Sequence, residues 1–123
     1  MASYLNDEVL DGGLDYADVN GTRIDICSAL PTTYAEATST YTLGNKTGLN
    51  TGAPQAGDSS GRKVVVPAIT DGTVTGTGTA THWALTDGSA ILVAAQTLSS
   101  SQGVTSGNTF TLGAIDITFP DPA

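Results

Sequence analysis

The sequence predicts an all-β domain, a β-sandwich or jelly-roll-like body led by one short N-terminal helix. Three observations carry that expectation. Thr, Ser and Gly supply 45 of the 123 residues, 20 of them Thr. A β-branched hydroxyl side chain suits a pleated, half-exposed surface, while Gly and Ser suit turns. The apolar residues fall in short runs bounded by turn residues, and only one stretch carries helical spacing.

That stretch is "SYLNDEVLDGGLDYADVNG". Ser3 or Asn6 can cap a helix, and Asp7 and Glu8 favour its first turn. Leu5, Val9 and Leu10 share a face, and Gly12-Gly13 is expected to end the element. Residues 1–20 therefore read as an acidic segment with a short helix, and 21–123 as a single β domain. "TRIDICSALP" follows, with Ile24 and Ile26 alternating against Arg23, Asp25 and Cys27, the pattern of a half-buried strand closed by Pro31. Residues 32–61 are polar and Gly-rich, with "YTLG" as a short strand candidate. Thirty residues is long for a loop in a compact domain, so this part holds a hidden hairpin or forms a long loop or arm.

"GRKVVVPAIT" restores the core signal, and Pro67 marks its strand as an edge or a bulged one. "THWAL" and "AILVAAQTL" flank "TDGS", where Asp87-Gly88 is a hairpin-turn signal. Trp83 and Leu85 then share one face, with His82 and Ala84 on the other. In "NTFTLGAIDITFP", Phe110 and Leu112 are out of phase with Ile115, Ile117 and Phe119. A bulge at Gly113 would bring both sets to the core. Trp83, Phe110, Ile115 and Phe119 are the expected core anchors.

The chemistry-bearing residues point away from catalysis. Twelve acids against four bases give a net charge of −8, which repels phosphate backbones and anionic membranes. The single cysteine, Cys27, excludes an intrachain disulfide and a multi-cysteine metal cluster. No apolar run approaches the length of a membrane span, and no leader pattern opens the chain, so a soluble protein is expected. His82 lacks a nucleophile elbow, and adjacency to Trp83 on a strand separates the two side chains. Asp7, Glu8, Asp11, Asp15 and Asp18 do not follow a calcium-loop pattern. Gly76 and Gly78 lack the third glycine of a phosphate cradle. No catalytic, metal or cofactor site is expected.

Only 26 residues are Val, Ile, Leu or Phe. A chain of this size buries about two thirds of its unfolded surface. Such a modest core favours an oligomer or a partner surface.

Taken in order, the helical segment, "RIDICSALPTTYAEA", "GRKVVVPA" and "ATHWALTDGSAILVAAQTLSSSQGVTSGNTFTLGAIDITFPD" resemble a group of small tailed-phage virion proteins. Its members are labelled head decoration or tail-fibre proteins. The resemblance spans Ile24 to Pro31, Gly61 to Ala68, Ala80 to Ala95 and Val104 to Leu112. It implies a structural virion protein assembled in the host cytoplasm, without enzymatic activity. On that reading the chain is a capsid decoration (cement) protein bound to the major capsid protein. It would form a homo-oligomer, such as a trimer, and contact the capsid through Tyr4, Leu5, Val9, Leu10, Arg62 and Lys63. A tail-associated adaptor or receptor-facing module is the alternative. A lectin-like domain stacking sugars on Trp83, or on Tyr34 and Tyr41, is a third reading.

Overall fold

A computed structural model describes residues 7–57 and 61–119. For residues 7–11 and 13 and for Phe119 it describes the backbone only. The elements are α1 (Asp7–Asn20), β1 (Arg23–Cys27), a π-helical turn (Glu36–Thr40), β2 (Thr42–Lys46), β3 (Gln55–Ala56), β4 (Arg62–Val66), β5 (Ile69–Val74), β6 (Gly78–Thr86), β7 (Leu92–Val104), β8 (Thr109–Leu112) and β9 (Ile115–Phe119). Two antiparallel sheets result, one of six strands in the order β7-β6-β1-β2-β5-β8 and one of three in the order β3-β4-β9. The fold is an all-β, sandwich-like domain with a short helix.

Alternation in β1 and β6 builds the middle of the large sheet. Ile24 pairs with Leu85 and Ile26 with Trp83, so four apolar side chains meet on one face. They form the main core with Val66, Ile69, Val74, Phe110 and Leu112, and Ile115 and Ile117 pack against it from the small sheet. The expected half-buried character of β1 is exceeded, because its other face is covered too. Asp25 and Cys27 are fully buried, Cys27 in a small cluster with Ala37 and Ala84.

Several local expectations are corrected. Gly12-Gly13 does not end the helix, which runs on to Asn20. Leu14 and Ala17 beyond the pair dock on Val64, and packing of an apolar face outweighs the local cost of glycine. The described residues of 32–61 form the π-helical turn, β2 and β3 rather than one long loop or arm, and the strand expected at "YTLG" is present as β2. β2 pairs with β1 on one side and β5 on the other. The segment also supplies Leu49, which is buried, and whose N–H donates to the Thr22 carbonyl at 3.0 Å. β4 is the centre of its sheet rather than an edge, because Pro67 lies just past the strand and removes no ladder donor. The phase change at Gly113 is not a bulge. β8 and β9 belong to different sheets, and the chain crosses between them at Gly113-Ala114.

β2 has few large apolar residues because the space above it is filled from elsewhere. The Phe110 ring lies over Gly72, its partner across β5 and β8, and touches the position a Cβ on Gly44 would occupy. A Cβ built on Gly72 would overlap the ring. Gly72→Ala must displace Phe110, and overpacking of this kind costs about 1–3 kcal/mol. Urea denaturation should show that loss as a lower midpoint with an unchanged slope.

Candidate functional site

The large sheet curls until its two ends approach. Gln102 near the end of β7 donates from Nε2 to the Thr111 carbonyl of β8 at 2.9 Å. Closure stops there. Farther down, among the described residues, β7 pairs only with β6 and β9 only with β4, so each presents a backbone edge that no described strand covers. A slot lies between those edges.

The slot is lined in its middle by Ala94, Ala95 and Gln96 on one side and Asp116, Ile117 and Thr118 on the other, around about 290 Å³. Consecutive strand residues point to opposite faces, so three in a row on each wall means that the strands front the space edge-on. Toward the crossover the space widens to about 420 Å³ between Gln96–Gln102 and Leu112–Asp116. At the other end it runs into an apolar hollow of about 330 Å³ among Leu14, Ala17, Val93 and Ile117. Trp83 forms part of the floor and is only 4% exposed.

The charges around this slot are sparse. β7 has thirteen residues and no ionisable side chain. Asp116 on β9 is paired with Lys63 at 3.0 Å.

The hairpin before β7 is held by another carboxylate. Asp87 Oδ1 accepts the N–H groups of Ser89, Ala90 and Ile91 at 2.8, 2.9 and 3.0 Å. The connection is therefore a five-residue loop, residues 87–91, rather than a two-residue turn, with Gly88 at φ +77°. Those three donors hold the Asp87 carboxyl below its ordinary value of 3.8. Because the folded value is depressed, the stabilisation is complete above the ordinary value and is lost as pH falls through the folded one. Wild type is thus expected to lose more stability on acidification below 3.8 than Asp87→Ala does. Urea midpoints at neutral and strongly acid pH would show it.

The remaining chemistry-bearing side chains are engaged inside the fold. Burial first, and the nearby Asp25 carboxylate second, push the Cys27 thiol up to about 12. Its sulfur lies 3.6 Å from the Ala37 carbonyl oxygen. A thiol in that state is a poor nucleophile. His82 projects from the face opposite Trp83, with ring nitrogens 2.8 Å from the Thr81 hydroxyl and 3.3 Å from that of Thr97. Asp25 is bound by Arg23 through Nε at 2.8 Å and Nη2 at 3.0 Å, and by the Thr42 hydroxyl at 2.7 Å. Among the described residues, no three His, Cys, Asp or Glu side chains are placed to hold a metal ion. No described helix is long and apolar enough to cross a membrane.

Of the residues expected from sequence to touch a partner, Tyr4 and Leu5 lie outside the described residues, as do the side chains of Val9 and Leu10. Arg62 and Lys63 sit on β4, half-buried, with Arg62 Nη2 3.4 Å from the Pro54 carbonyl oxygen. The structure does not gather them with the slot, although Lys63 reaches its rim through Asp116. Trp83 and Phe110 are buried and Ile115 packs against the same core; the Phe119 side chain lies outside the described residues.

The slot leaves little local signal in the sequence. It joins β7 to β9, strands with no hydrogen bonds between them, and only the absence of charge along "LVAAQTLSSSQGV" marked one wall. No family model matches this chain, and no curated protein or solved structure matches it either.

Proposed function

We propose that this protein is a structural component of a tailed-phage virion, a decoration protein that docks on the head and stabilises its coat lattice. The observation that carries the reading is the slot with two free strand edges over an apolar floor. Two edge strands, β7 and β9, that flank one slot over an apolar floor present a surface for attaching another polypeptide. The buried thiol and the carboxylates of Asp25 and Asp87 serve the fold, which fits a docking role better than a reactive one. Attachment also compensates for a modest core, since whatever binds only the folded state stabilises it.

Sugar stacking is the weaker reading, because Trp83 keeps 4% of its surface exposed and offers no ring face to a glycan. The test is cosedimentation of the purified protein with heads assembled without it, followed by a heat challenge. Saturable binding in a fixed ratio to coat subunits, with a raised disruption temperature, is the expected result. Failure to bind heads contradicts the decoration role, and binding to isolated tails instead would move the protein to the tail.

A further inference from the structure

The geometry points to the β7–β9 slot as the receptor for one extended, uncharged strand donated by another protein, which bridges the two sheets. This deepens the docking role proposed above and rests on it.

The walls define the occupant's backbone. Both are strand edges whose outward N–H and C=O groups no described strand pairs. The lining residues descend along β9 as they ascend along β7, so the walls run antiparallel. A single inserted strand therefore pairs antiparallel with one wall and parallel with the other, at the usual spacing of about 4.7–4.9 Å from each. A whole second sheet does not fit the same place, because Gln102 already ties the upper end of β7 to β8.

The floor defines its side chains. Trp83, Val93 and Ile117 lie toward the core, while Gln96, Asp116 and Thr118 stand at the rim. A strand with period-two alternation would place small apolar side chains inward and polar ones outward.

The charges define its net character. In a chain of net charge −8, β7 carries none, and Asp116 is neutralised by Lys63. A basic segment would find no anion along the β7 wall, and an acidic one would meet the field of the whole chain. An uncharged strand matches. The stretch Ala94–Thr97, in unbroken register with β6, carries no lysine, proline or charge to guard it against strand addition, and the register of β7 breaks on either side of it.

The probe is a decapeptide of alternating threonine and valine, blocked at both ends and carrying a short polyethylene glycol tail for solubility. A second peptide of the same sequence, N-methylated at alternate residues, cannot donate along one edge. Amide exchange of the full-length protein is followed residue by residue by NMR. The expected result is about tenfold or greater slowing within Ala94–Ser99 and Ile115–Thr118 with the first peptide. The N-methylated peptide, which keeps only one intact edge, should not slow both walls together.

Gln96→Glu combined with Thr118→Glu, both at exposed positions, should weaken the peptide about tenfold or more while leaving the exchange of β1 and β6 unchanged. Equal protection by both peptides, or protection elsewhere, overturns the inference. So does a free protein that is already a dimer with these amides protected, which would make a second copy the occupant. Peptide binding without attachment to heads sustains the slot and removes the decoration role. Attachment to heads with the slot amides still exchanging freely does the reverse.

Discussion

Trp83→Ala is expected to destabilise the protein by about 3–5 kcal/mol, the range for removing a buried aromatic side chain and leaving a cavity. Trp83 pairs with Ile26 across β1 and β6 and packs in the main core, so its loss is felt by the central strands and by the slot floor. Domains of this class are held by roughly 5–15 kcal/mol in total, so the variant should sit near or past its unfolding threshold at moderate temperature. Urea denaturation followed by circular dichroism measures the loss. Trp83→Phe should recover most of it. A variant that keeps wild-type stability would mean that Trp83 is not a core residue, and would reopen the sugar-stacking reading.

Arg23→Met is expected to cost a comparable amount, about 3–5 kcal/mol, for a different reason. Asp25 is fully buried, and Arg23, with 22% of its side chain exposed, supplies two of the three side-chain hydrogen bonds to its carboxylate among the described residues. Removing the guanidinium leaves a buried carboxylate with the Thr42 hydroxyl as its remaining partner among the described contacts. A buried charge whose partner is removed is far worse than no charge at all. The double variant Arg23→Met, Asp25→Leu should therefore be more stable than Arg23→Met alone. Thermal or urea melts of the two variants decide it. If the double variant were the less stable, the pair would owe its effect to packing rather than to electrostatic balance.

The same two regions show what the amino-acid sequence reveals and what it hides. Alternation made β1 and β6 legible, because Ile24, Ile26, Trp83 and Leu85 all face one core and each strand is read within a few residues. The strand β2 shows in the sequence only as the short candidate "YTLG", because Gly44 is buried as a bare backbone position beneath Phe110, a residue 66 places away. Local pattern carries no trace of a side chain delivered by a distant strand. The helix runs past Gly12-Gly13 for a related reason, since the docking of Leu14 and Ala17 on Val64 is a tertiary effect. Asp87-Gly88 announced a hairpin correctly but not its length, which depends on three loop N–H groups converging on one carboxylate oxygen.

The candidate site belongs wholly to the hidden part. Its walls come from strands of different sheets, and its form depends on how far the large sheet curls before Gln102 meets Thr111. Sequence reading placed partner contacts on the N-terminal segment and on Arg62 and Lys63, where charge and amphipathicity are visible. An edge slot has neither signal. Its mark is a long strand without charge, and that becomes meaningful only once the strand is known to lie at an edge.

The most direct measurement is hydrogen exchange of the protein free and bound to heads assembled without it, read by mass spectrometry over fragments that separate the strands. The docking account predicts that attachment slows exchange in residues 92–104 and 115–119. Attachment that leaves both of these segments unchanged and protects the helix or β4 instead would contradict it.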